Sequence, residues 1–165
     1  MISKFLNKNF YINFSIVISV YFFDRLTKMF VIQLDKNNLG SDIFNSTYLN
    51  IVLIWNKGIA FGLLSFNEDY LYNILSVIIS MIVVVLVIMS IKSQGFKRYS
   101  LLMVIGGALG NLHDRIFFKA VPDFIDFHIG SFHWFIFNVA DIFITIGVIS
   151  MIILELINNN KQKYE

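Results

Sequence analysis

Asp123 and Asp141 are two carboxylates whose positions suit a reaction that neither could run alone. Two carboxyl groups that meet in a partly dry site cannot both ionise easily, so they share a proton. The ionised member can then take a proton from water while the protonated one assists an amide carbonyl and its leaving nitrogen. Asp141 stands in an apolar run with Asn138 three positions earlier, on the same face if the run is helical. Asn111, Asp114 and Arg115 share a face of a second apolar run, and Asp24 and Lys28 are spaced i,i+4 in a third, where they can pair. An ionisable group inside a membrane span costs at least ~2.5 kcal/mol at mid-bilayer, so each of these is a candidate for function.

Every one of them also has a structural role open to it. Asp141 can serve as an internal partner of Arg115, and Asp123 as a solvated turn residue. Asp24 and Lys28 can be a structural pair that snorkels toward the surface. Adjacent Asp114 and Arg115 suit a scaffold charge pair, with the Asn side chains as orienting donors. Gly106 and Gly110 give small-xxx-small spacing, which lets a neighbouring helix come close. His113, His128 and His133 raise the question of a metal, but neither H-E-x-x-H nor another zinc spacing stands out. They are read as interfacial, and no metal or cofactor is expected. No serine has a G-x-S-x-G context. The absence of cysteine excludes a thiolate nucleophile, a disulfide and a lipid attachment point.

These residues must be held by elements built for a bilayer. Hydrophobic residues make up 57% of the 165-residue chain and charged ones 15%, against roughly 25% charged in a soluble domain. Mean hydropathy is +0.71. A net charge of +2 without a basic, aromatic-interleaved patch gives no reason to expect nucleic acid. A span needs about 20 apolar residues, and four stretches qualify: 10–34, 70–91, 99–118 and 134–157. Only the second is free of charge. Lys4 and Lys8 ahead of an apolar run imitate a signal peptide, but no A-x-A-like site follows Phe23, so the first stretch is read as a retained helix. The expectation is a single-domain, all-α membrane protein with four transmembrane helices and a small β-sheet on its outer side, acting as a monomer.

Lys4, Lys8, Lys92, Lys97, Arg98, Lys161 and Lys163 flank one side of the membrane, and Lys36, Lys57 and Lys119 the other. Seven against three places both termini in the cytoplasm and loops 35–69 and 119–133 outside. Asp114 then sits roughly 6 Å, and Asp141 roughly 10 Å, below the outer helix ends. Asp24 lies in the outer half of its helix, and Asp123 in the outer loop. The costly groups thus gather at one depth.

In the first outer loop Leu49, Ile51, Leu53 and Trp55 alternate on one register with Asn50 and Asn56 on the other, a strand with one buried face that runs on into a turn over Asn56–Gly62. In the second, Gly130-Ser131 is a two-residue hairpin signal.

With these motifs in place the chain resembles the lipoprotein signal peptidases of bacteria, signal peptidase II. Five stretches carry the likeness in order: Asp24-Arg25-Leu26-Thr27-Lys28, Asn56 to Phe61, Gly106 to Arg115, Val121-Pro122-Asp123-Phe124, and Phe137 to Asp141. The resemblance implies an aspartic endopeptidase of the inner membrane that cleaves lipid-modified prolipoproteins before a diacylglyceryl-cysteine, with membrane lipid as its surroundings. It implies Asp123 and Asp141 as the catalytic dyad, with Asn56, Asn111, Arg115 and Asn138 lining the site. Asp24 and Lys28 would support the fold around it. Pro122, His113 and Ile136 depart from the usual pattern without touching a proposed catalytic group. A rival of another class, a small carrier or proton-coupled subunit using Asp114 and Asp141 as relays, requires polar groups spread through the membrane. The inner halves of the last three spans are nearly free of them, Glu155 at the cytoplasmic end apart. A non-catalytic assembly factor is the third alternative.

Overall fold

The computed structural model describes residues 8–37, 43–58 and 69–164. Four long helices and three strands follow in the order α1 (Lys8–Asn37), β1 (Leu49–Asn56), α2 (Asp69–Lys92), α3 (Gly95–Phe118), β2 (Val121–Ile129), β3 (Phe132–Phe137) and α4 (Val139–Tyr164). Helices α2, α3 and α4 are long and apolar enough to cross a membrane. At 30 residues α1 also has the length, about 45 Å at helical rise, but Asp24, Arg25 and Lys28 interrupt its apolar surface. Such an interruption is tolerable only if those groups find partners inside the protein.

Helix α3 is the hub and packs against the other three. Small residues make this possible. A Cβ on Gly106 would lie 2.8 Å from Cβ of Val20 on α1, and one on Gly107 only 2.6 Å from the carbonyl oxygen of Ala140 on α4. Gly147 of α4 returns the fit against Ser100 and Val104. Helix α2, by contrast, turns Val77, Ile78, Met81, Ile82 and Val85 outward, as a lipid-facing surface requires. Its Ser76 and Ser80 hydroxyls donate to carbonyls one turn earlier, at 3.0 and 2.8 Å, so neither is left unpaired in hydrocarbon.

The strands form one antiparallel sheet in the order β1-β2-β3, laid across the end of the bundle where α3 finishes and α4 begins. Val31 of α1, Phe124 of β2 and Val139 of α4 make the buried core between sheet and helices, with Ile51 and Leu53 packed against it.

Two boundaries and one strand differ from what the sequence predicts. The fourth helix begins at Val139, because Trp134–Phe137 belongs to β3, so the second outer segment extends to Asn138. An aromatic, β-branched run is apolar in either element, and length alone favoured the helix. The loop between α2 and α3 contracts to Ser93 and Gln94, which places Lys97 and Arg98 in the first turn of α3. Finally, a bulge between Ile51 and Ile54 breaks the expected alternation of β1. Trp55 consequently leaves the buried face, 42% exposed, and packs against Phe118 instead. Asn56 to Gly58 is described, whereas Ile59 to Gly62 of the expected turn lies outside the described residues.

Candidate active site

The first turn of α4 is built by a reciprocal cap. The Asn138 side chain accepts the N–H of Asp141 at 3.1 Å, while the Asp141 carboxylate accepts the N–H of Asn138 at 3.1 Å. Two backbone donors that a helix start leaves orphaned are thereby satisfied. The sequence reading put Asn138 and Asp141 on one face of a continuing helix, with Asp141 seven residues in. In fact Asn138 precedes the helix and Asp141 is its third residue. The negative charge of Asp141 also sits favourably at the positive end of the helix dipole.

Asn138 reaches further. Its amide N–H₂ donates to Asp123 at 2.6 Å, so one residue holds both carboxylates. Asp123 lies on β2 opposite Ile54, not in a free loop, and is 4% exposed. Its second oxygen accepts Asn56 Nδ2 at 2.9 Å from the end of β1, and Asn56 Oδ1 in turn accepts the Gly58 N–H at 2.8 Å. Burial pushes the Asp123 carboxyl up to about 6, and the charge of Asp141 adds to the effect. The amide donors of Asn56 and Asn138 pull the other way, because they favour the ionised form.

Beneath the pair lies a sealed ionic cluster. Lys28, wholly buried, donates all three of its protons: to Asp24 at 2.8 Å, to Asn111 Oδ1 at 2.8 Å and to Asp114 at 2.7 Å. The other oxygen of Asp114 accepts from Arg25, and the other oxygen of Asp24 accepts the Ala140 N–H at 2.9 Å in the first turn of α4. Two cations and two anions balance. Because Asn111 gives its oxygen to Lys28, its N–H₂ is aimed at Asp141, to which it donates at 2.8 Å. The cluster therefore sets the orientation of the Asp141 carboxylate through one amide.

Above Asp141 opens a groove of about 720 Å³ between the β2–β3 hairpin and the outward face of α4. Phe127, Phe132, Trp134, Phe137, Ile142 and Ile146 are among its walls, and Asp141 is the only carboxylate lining it among the described residues. Asp141 at the foot of an apolar trough, with Asp123 behind it on the same Asn138, can act on a polar bond carried by an apolar substrate.

Comparison with known proteins decides the family. Residues 16–157 match the family model described as signal peptidase (SPase) II. The lipoprotein signal peptidase of Pelagibacter ubique is 48% identical over 96% of this chain and 95% of its own, and that of Anaplasma phagocytophilum 42% identical over 81% and 84%. The chain belongs to the signal peptidase II family. Two solved structures of bacterial membrane enzymes, obtained by the in meso method, superpose on this member with TM-scores of 0.74 and 0.72 at 33% and 34% identity. They cover 93% and 87% of the chain, and 92% of each solved chain is matched. The family makes the chain a membrane peptidase, and the carrier alternative is not favoured.

Within this signal peptidase II fold the residues singled out from sequence, Asp24, Lys28, Asn56, Asn111, Asp114, Arg115, Asp123, Asn138 and Asp141, converge at one end of the bundle. Two pairings differ from those expected. Asp114 binds Arg25 and Lys28 instead of its neighbour Arg115. Arg115 donates to the carbonyls of Asn111 and Gly58, at 3.2 and 3.0 Å, and forms no ion pair with Asp141 among the described residues. Nor do Asp24 and Lys28 snorkel, since both are fully buried. Arg25, which the sequence does not single out, closes the cluster. Its signal was its place between Asp24 and Lys28, one charge more than an i,i+4 pair needs. The histidines part ways: His113 pairs with the Tyr21 hydroxyl at 2.9 Å, while His128 and His133 face each other across the hairpin.

Proposed function

We propose that this chain is an aspartic endopeptidase that removes the signal peptide from prolipoproteins, with Asp123 and Asp141 as its dyad. The observation that carries the reading is the attachment of both carboxylates to Asn138, with Asp141 lining the apolar groove. We assign the shared proton to Asp123, whose neutral form burial and the neighbouring charge favour, and the ionised role to Asp141, which accepts the Asn138 N–H and the Asn111 amide at the positive end of α4. Asp141 takes a proton from the attacking water, whose oxygen adds to the scissile carbonyl. Asp123 donates toward the carbonyl oxygen, and the proton held on Asp141 passes to the leaving nitrogen as the C–N bond breaks. Arg115 and the Asn56–Gly58 turn, joined at 3.0 Å, border the pair and are suited to hold the substrate backbone.

The lipoprotein peptidases to which the chain is similar, and its own apolar groove, support a precursor cleaved before a diacylglyceryl-modified cysteine. Burying acyl chains stabilises by ~0.8 kcal/mol per CH₂, so the lipid anchors the precursor and sets the distance from membrane to scissile bond. Position matters more than attraction, because a misplacement of about 1 Å can cost on the order of a hundredfold in rate. The protein sits in the inner membrane as a monomer with four spans, α1 included, both termini cytoplasmic and the sheet outside. Purified protein should cleave a peptide bearing diacylglyceryl-cysteine and leave the same peptide with free cysteine almost untouched in the same detergent. Equal rates on the two would overturn the lipoprotein assignment while leaving an aspartic peptidase standing.

A further inference from the structure

Gly130 takes a left-handed conformation, φ +61°, and with Ser131 closes a tight turn that pairs Ile129 with Phe132 and His128 with His133. Facing positions on adjacent strands bring side chains within touching distance. The two imidazoles accordingly stack at 5.0 Å, with 19° between their planes. Asp126 lies two residues before His128, and a register shift in the β2–β3 ladder between them brings Asp126 together with His133 as well. Asp126 is 3% exposed, and its oxygens meet Nδ1 of His133 at 2.8 and 3.0 Å. One ligand atom from each of the three residues lies within 4.8 Å of the others.

We infer that Asp126, His128 and His133 form a binding site for a divalent transition-metal ion of the zinc type, separate from the Asp123–Asp141 pair. Two imidazoles and a carboxylate suit Zn²⁺, Co²⁺ or Cu²⁺ far better than Mg²⁺ or Ca²⁺, which favour all-oxygen sets. Two further observations fit an ion. Nδ1 of His128 is buried with no hydrogen-bond partner among the described residues, an arrangement that costs free energy unless something fills it. Asn50 of β1 approaches Asp126 at 3.4 Å and is placed to orient the carboxylate, as outer-shell groups do in metal sites. Tetrahedral ligands at 2.0–2.1 Å stand about 3.3 Å apart; Asp126 and His133 already meet that spacing, so the approach of up to roughly 1.5 Å falls to the more distant ligand atoms. The half-exposed ring of His133 has the freedom to move, exchanging its hydrogen bond to Asp126 for the ion. Its exposure also leaves a way in from solvent and a fourth position for water. The hairpin walls the groove, and His128 lines it, so a bound ion ties the turn to the surface along which substrate lies.

The test uses the full chain in detergent, freed of any histidine tag and stripped with chelator, titrated calorimetrically with Zn²⁺ and by visible absorption with Co²⁺. One ion should bind per chain and raise the melting temperature. His133→Ala, a change at an exposed side chain that does not threaten folding, should weaken binding by about tenfold or more. His128→Ala and Asp126→Asn should do the same, whereas the double change Asp123→Asn with Asp141→Asn should leave binding intact. No binding, undiminished binding in His133→Ala, or loss of binding with the dyad changes would each overturn the site.

Discussion

Asn138 donates to Asp123 from its side chain and to Asp141 from its backbone, so the two acids cannot drift apart without breaking the start of α4. Asp123→Asn and Asp141→Asn should each abolish cleavage of a lipidated precursor, because an amide keeps the shape but cannot cycle a proton. Activity retained in either, measured on folded protein, would exclude the proposed dyad. The pH profile adds a signed test. The mechanism needs Asp123 protonated, and its carboxyl releases the proton at about 6, so kcat/KM should fall as pH rises through that value. The amide donor of Asn56 favours the ionised form, so Asn56→Ala should raise the value and move the alkaline limb upward. A bond of ~0.5–1.5 kcal/mol corresponds to roughly half to one pH unit. A limb that stays in place would disconnect Asp123 from the rate.

At the scale of elements, the contact between α3 and α4 fixes where Asp141 stands. Gly107 faces the backbone oxygen of Ala140, the residue just before Asp141. A methyl group there meets a carbonyl that has no rotamer to escape into. Gly107→Ala should therefore destabilise the protein by about 1–3 kcal/mol and depress cleavage beyond the loss of folded protein, seen by comparing melting temperature with specific activity. Gly110→Ala meets the Asp24 carboxylate of α1, which Lys28 and the Ala140 N–H hold in place, so it should also destabilise, through the α1–α3 contact; normal stability in Gly107→Ala would argue against tight α3–α4 packing. Much at this scale was legible from residue order. Helix α2 declared itself by an uninterrupted apolar run, and the β2–β3 turn by Gly130-Ser131. The start of α4 was not, because Trp134 to Phe137 is equally apolar as strand or helix. The true marker was Asn138 followed three residues later by an acid. The bulge in β1 and the union of Lys28 with Asp114 depend on neighbours far away in sequence, which periodicity does not reveal.

For the whole molecule, the distribution of Lys and Arg and the position of the sheet make the same proposal about orientation. Ser46, exposed ahead of β1, and Ser93, between α2 and α3, lie toward opposite ends of the bundle. The chain has no cysteine, so each can carry a single reporter. Ser46→Cys should react with a membrane-impermeant thiol reagent in intact spheroplasts, and Ser93→Cys only after lysis. The opposite labelling would invert the topology and move the proposed site to the cytoplasmic face.

The balanced cluster around Lys28 also bears on how the protein is made. Lys28 and Asp114 are 86 positions apart, yet in the finished structure each is sealed from water by the other. When α1 first meets the bilayer during synthesis, Asp24 can already pair with Lys28 within the helix, but Arg25 has no anion until α3 arrives. That gap leaves one surplus positive charge on the nascent segment. With α1 as the proposed first span, its release into lipid should wait on a residue translated much later, so that the ionic lock that orients Asp141 would also set the order of assembly.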